Sequence, residues 1–210
     1  MLNRSSHDKA ALHALVMQRT MFLFPLVLVV MTSPAFAHSE NGVGIDFLGG
    51  FKHPITGLDH LVAMVAVGLW GAFLGIPAIW LLPVVFPLVM AFGGALGVLG
   101  MPLPWVETGI ALSAIALGAM VAFKARPPLW IAAILVGAFA IFHGHAHGTE
   151  LPVGADAIAF SMGFVVATGM LHVGGIAFGA LSRWPAGRIA VQALGGIIAL
   201  IGVAYLGHFI

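Results

Sequence analysis

Six apolar stretches follow one another along the chain, at 55–75, 77–100, 104–123, 128–148, 155–181 and 189–208, separated by short connections rich in proline, glycine and charge. At about 1.5 Å per helical residue, each is long enough, or nearly so, to cross roughly 30 Å of hydrocarbon. A backbone inside lipid has to satisfy its own hydrogen bonds, so such segments are read as helices. The pattern predicts an all-α integral membrane protein, a compact bundle of six transmembrane helices with no soluble domain. Composition points the same way. Only 7% of the 210 residues are charged and 61% are hydrophobic, whereas a soluble domain is about 25% charged. A net charge of +1 offers no basic patch for nucleic acid, and the absence of cysteine excludes disulfides and thiolate metal sites. Pro83 and Pro87 predict a kink in the second span. The paired glycines Gly93-Gly94, Gly174-Gly175 and Gly195-Gly196 read as surfaces for close helix packing.

The first residues have another character. Arg4, Lys9 and Arg19 precede a short apolar run from Met21 to Met31, and Ala35-Phe36-Ala37 ends it with small residues at the right spacing. A basic start, a short apolar middle and a small-x-small end describe a secretory signal peptide. The alternative is an uncleaved first helix, but the run is short for a span. Residues 1–37 are therefore read as signal peptide and 38–210 as the transmembrane domain, which begins at His38 outside the cytoplasm. Of the basic residues beyond Ala37, Lys124, Arg126, Arg183 and Arg188 lie in the connections after the third and fifth spans. The positive-inside rule puts those connections in the cytoplasm, in agreement with cleavage. Both termini are then periplasmic, in the inner membrane of a bacterium.

Histidine is the anomaly, with 10 residues in a chain that has 8 Lys+Arg and 7 Asp+Glu. Ionisable side chains inside a membrane are a functional signal by default. One group is His53-Pro54-Ile55-Thr56-Gly57-Leu58-Asp59-His60, at the outer end of the first span. A helix running through it would place His53, His60 and Met64 on one face. Pro54 equally suits a first helical turn, which would leave His53 just ahead of the helix. Asp59 either turns toward a neighbouring helix or backs a ring nitrogen. The other group is Phe142-His143-Gly144-His145-Ala146-His147-Gly148-Thr149-Glu150, closing the fourth span. His143 and His147 are four apart and Glu150 is three further on, the spacing by which one helix offers two imidazoles and a carboxylate to a metal. His145 falls on roughly the opposite face. Because the first and fourth spans run in opposite directions, both groups lie at the outer membrane face, with His38, Glu107 and His208 at that level. Imidazole with carboxylate and no thiolate suits Ni²⁺, Co²⁺ or Zn²⁺. His172 lies deep in the fifth span, on a polar stripe with Ser161, Thr168 and Gly179, and reads either as a satisfied buried histidine or as a ligand on the way to the cytoplasm.

The two motifs, HPITGLDH at 53–60 and FHGHAHGTE at 142–150, resemble those of the HupE/UreJ family of nickel permeases, accessory proteins of hydrogenase and urease systems. Signal peptide, span number and size are similar too. The resemblance implies uptake of Ni²⁺, with His53, Asp59, His60, His143, His147 and Glu150 as functional positions and Co²⁺ as a second candidate cargo. His145 occupies a variable position of the motif. The resulting expectation is a permease, not an enzyme, that takes up a divalent metal ion as its substrate and has no tightly bound cofactor. His38 and His172 are secondary candidate ligands, and homo-oligomerisation stays open. The alternative is a Zn-dependent intramembrane hydrolase using the same His/Asp cluster, although the sequence has neither H-E-x-x-H nor G-x-S-x-G.

Overall fold

A computed structural model describes residues 47–151 and 154–208, and every regular element among them is helical. The elements are α1 (Phe47–Thr56), α2 (Leu58–Leu74), α3 (Ala78–Val98), α4 (Val106–Ala122), α5 (Leu129–Thr149), α6 (Ala157–Gly179), a single 3₁₀ turn (Ala180–Arg183) and α7 (Pro185–Leu206). The expected signal peptide, its cleavage point and His38 lie outside the described residues. Four helices, α3, α5, α6 with its 3₁₀ extension, and α7, are each long and apolar enough to cross a membrane. α1 and α2 pass that test only as a pair, and α4 is apolar but 17 residues long.

The first expected span differs most from its reading. The chain bends by 84° between α1 and α2, so His53 and His60 belong to different helices and share no helical face. Pro54 lies in the last turn of α1, not the first turn of a span. The break falls at Gly57 and costs little in backbone hydrogen bonding. Gly57 N–H still donates to the His53 carbonyl (3.3 Å), and its own carbonyl accepts from Leu61 N–H (2.9 Å). Pro83 and Pro87 do not interrupt α3, which is continuous from Ala78 to Val98.

Small residues set the packing, as expected for helices in lipid. A methyl group on Gly144 would land on the Met90 carbonyl, and one on Gly148 on the Gly94 carbonyl, so α5 lies backbone to backbone on α3. Gly68 and Gly175 bring α2 equally close to α6. α4 pairs with α7, and α1 packs on α6. Large apolar side chains point outward, among them Trp80, Leu88, Phe92, Met162 and Met170, while Trp70, Phe86, Met64, Leu69 and Leu82 fill the interior. That outward apolar surface is what a bilayer requires and water would penalise. At the end of the bundle away from the histidine motifs, Trp70 Nε1–H donates to the Ala125 carbonyl (3.1 Å) and Gln192 Nε2–H to the Ala122 carbonyl (2.9 Å). These two bonds tie the α4–α5 connection to α2 and the end of α4 to α7.

Candidate metal centre

The histidine-bearing ends of α1, α2 and α5 meet at one point. His147, on the last turn of α5, has its ring centroid 4.9 Å from His53, 4.3 Å from His60 and 4.1 Å from Phe164 of α6. His60 in turn lies 4.9 Å from His143, one turn deeper on α5. One ring nitrogen each of His53 and His147 and a carboxylate oxygen of Glu150 all lie within 4.8 Å of one another. His53 Nε2 and Glu150 Oε2 are 3.3 Å apart. A metal bound at about 2.0–2.2 Å from each ligand needs its donors to gather at this scale. His53 and Glu150 are partly open to solvent, while His147, His60 and His143 are buried. The group therefore runs from the surface inward.

Hydrogen bonds fix which nitrogen of each ring is free. Asp59 Oδ1 lies 2.9 Å from His60 Nδ1. The carboxylate can only accept, so Nδ1 carries the proton and Nε2 keeps its lone pair. Ser113 on α4 performs the same task for His143. Its single hydroxyl proton goes to the Ile110 carbonyl (2.6 Å), so the 2.8 Å contact to His143 Nε2 is donated by the ring. The lone pair of His143 is then on Nδ1. Neither His60 Nε2 nor His143 Nδ1 has a hydrogen-bond partner, and neither nitrogen of His147 has one. A buried polar atom left unpaired costs about 1–3 kcal/mol. Gathering several of them at one place is a poor way to build a core and a good way to build a ligand site.

The regular spacing on α5 delivers His143, His147 and Glu150 as expected, but the glycines between them serve the helix and not the ion. Gly144 and Gly148 press α5 onto α3, which turns the histidines toward α2 and α6. His145 does not join the group. Its Nε2–H donates to the Met101 carbonyl (2.7 Å) and ties α5 to the α3–α4 connection. Asp59 takes the second of its two expected roles. Glu107, at the start of α4, and His208, after α7, are exposed and belong to no group of gathered ligands among the described residues.

Sequence reasoning missed Ser113, although a lone hydroxyl within a run of Ala, Leu and Ile on α4 is a signal of a kind. It also missed Phe86. This fully buried ring has its centroid 5.6 Å from His143 on one side and 5.6 Å from His172 on the other. His172 is buried, as is Thr168 one turn earlier on α6; neither histidine nitrogen nor the threonine hydroxyl has a partner. Of the expected polar stripe only Ser161 faces outward. A file of imidazoles thus runs from His53 through His147, His60 and His143 to Phe86, with His172 beyond it.

Residues 26–205 match the protein family described as HupE / UreJ protein. The chain belongs to the HupE/UreJ family. It is also 47% identical over 180 residues to Protein HupE of Rhizobium leguminosarum bv. viciae, a match covering 85% of this chain and 94% of that protein. No solved structure matches. The HupE/UreJ match takes in both histidine motifs, so the residues that gather at this end of the bundle lie within the matched sequence.

Proposed function

We propose that this HupE/UreJ protein is a permease that brings a divalent transition-metal ion, Ni²⁺ before Co²⁺, into the cytoplasm. The observation that carries the reading is the file of buried imidazoles with unpartnered lone pairs, open to solvent at His53 and Glu150. On this reading the bent α1–α2 pair and the short α4 complete six membrane crossings. α1 lies across the outer mouth, both termini are periplasmic, and residues 1–37 are removed as a signal peptide. The cations after α4 and α6 face the cytoplasm.

The chemistry follows the file inward. His53 and Glu150 exchange for water ligands on the arriving ion, and His147 joins them. His60 and His143, each held in one tautomer by Asp59 and Ser113, offer the next two lone pairs. His172 and Thr168 receive the ion on the far side of Phe86. Each station holds few ligands, so the ion is never bound too tightly to leave, the condition for conduction through any selective path. An inside-negative membrane potential favours entry of a 2+ ion by roughly 4.6 kcal/mol per 100 mV, enough to drive uptake without nucleotide hydrolysis.

Uptake of radiolabelled nickel by cells expressing the chain, against excess Co²⁺, Zn²⁺ and Mg²⁺, tests the reading. Nickel accumulation resistant to Mg²⁺ and lost in His147→Ala is expected. Inhibition by Zn²⁺ and not by Co²⁺ would overturn the nickel assignment, and metal binding without accumulation would overturn transport.

A further inference from the structure

At the end of the bundle opposite the histidines, Lys124, Arg126, Arg183 and Arg188 line one open cleft of about 630 Å³, together with Ala72, Phe73, Ala180 and Ser182. Positive-inside topology explains why basic residues occur in these connections, but it does not require them to converge. Lys124 and Arg126 come from the α4–α5 connection, while Arg183 and Arg188 come from the α6–α7 connection and the first turn of α7. Four exposed cations repel one another when brought together without a counter-charge. Among the described residues the carboxylates are Asp59, Glu107, Glu150 and Asp156, all at helix ends on the histidine side. Among the described residues the cleft has no anion of its own.

The geometry holds the guanidinium groups in place. Arg126 stacks 4.6 Å above the Phe73 ring and Arg183 4.6 Å above the Trp184 ring. Arg183 Nε–H donates to the Ala180 carbonyl (3.0 Å) and Arg188 Nε–H to the Ser182 carbonyl (3.2 Å). Both leave their terminal nitrogens free for an acceptor, and a planar guanidinium matches a phosphate oxygen pair. The neighbours along the chain are apolar and outward: Phe123 before Lys124, Trp184 after Arg183 and Ile189 after Arg188 are all exposed. We propose that this cleft binds the phosphodiester headgroup of an anionic phospholipid, with the acyl chains lying against those apolar neighbours. The apolar rim favours a lipid over free phosphate. The site stands whether or not the histidine file carries nickel.

The test is lipid retention by the purified full-length chain in native mass spectrometry, comparing phosphatidylglycerol with phosphatidylcholine of the same acyl chains and adding millimolar inorganic phosphate as a third arm. Phosphatidylglycerol is expected to be retained preferentially, to weaken roughly fivefold for each basic side chain removed, and to resist phosphate. Arg126→Gln, Arg183→Gln and Arg188→Gln are the direct variants. Lys124→Gln removes a cation that anchors no backbone carbonyl, so it reads the charge alone if an arginine variant misfolds. Equal retention of the two lipids, or retention unchanged in Lys124→Gln, would overturn the proposal. Displacement of the lipid by phosphate would reassign the cleft to the free anion.

Discussion

The two histidine motifs reach the same point by opposite means. On α5 the chain does nothing unusual: an unbroken helix sets His143, His147 and Glu150 along one edge by its own period. On the other side the chain bends by 84° at Gly57, and His53 arrives from a short helix lying across the path of the helix that carries His60. One motif uses regularity and the other uses its interruption. Regularity gives depth, since successive turns of α5 offer ligands at successive levels. Interruption gives a mouth, since α1 brings His53 against Glu150 at the solvent boundary.

The sharpest way to break this comparison is to remove the residue both sides share. His147→Ala deletes the ring that touches His53 and His60 alike, and nickel accumulation is expected to fall to that of cells without the protein. Accumulation within a factor of two of the parent would mean that the two motifs do not serve one site. Asp59→Asn keeps the shape and loses the carboxylate that fixes the His60 tautomer, and it should weaken apparent metal affinity about 10–100-fold. The readout is the concentration dependence of uptake, with the maximal rate falling less than the affinity.

The bend itself is tested by Gly57→Ala. A methyl group there would lie 3.2 Å from Asp59 Oδ1 and 3.5 Å from His60 Nδ1. Alanine also favours a continuous helix by roughly 1 kcal/mol over glycine. A several-fold loss of uptake with normal membrane insertion is expected, and unchanged uptake would show that the mouth tolerates a straighter chain. Acidification probes both motifs together. A ligand imidazole must be neutral, because protonation takes the lone pair the metal would use. Uptake should therefore decline once the outside pH is low enough to protonate the ligand rings. Uptake that rises as the outside pH is lowered would exclude neutral histidines as the entry ligands. His172→Gln should have the smallest effect, lowering the maximal rate a few-fold while leaving the concentration for half-maximal uptake near that of the parent. A change in that concentration instead would move His172 into the outer group.

What the sequence made legible follows from the same contrast. The helical period of α5 was readable because nothing competes with it, and so were the separate placing of His145 and the gathering of both motifs at one end. The family was readable from those motifs as well. The bend was not, because three glycines and a proline within 47–57 look like a connection, and α1 forms only where it packs. A methyl group on Gly50 would meet the Phe160 carbonyl, and one on Gly163 the Phe47 carbonyl, so this helix is held by α6 and not by its own propensity. Ser113 and Phe86 escaped for a related reason. Each matters through a neighbour more than twenty residues away, and no local pattern announces such a partner.

The glycine contacts divide the labour in one more way. α3 and α5 touch backbone to backbone, and so do α2 and α6, leaving each pair little freedom to slide within itself. The file of imidazoles runs along the boundary between these two stiff units, with His143 and His147 on one bank and His60 and His172 on the other. Around the imidazoles the contacts across that boundary are made by side chains, which yield more easily than interlocked backbones, while Gly71 brings α2 against the α3 backbone at the far end. On the proposed function, an ion moving inward would be passed from bank to bank, and each transfer would load the boundary without asking either unit to deform.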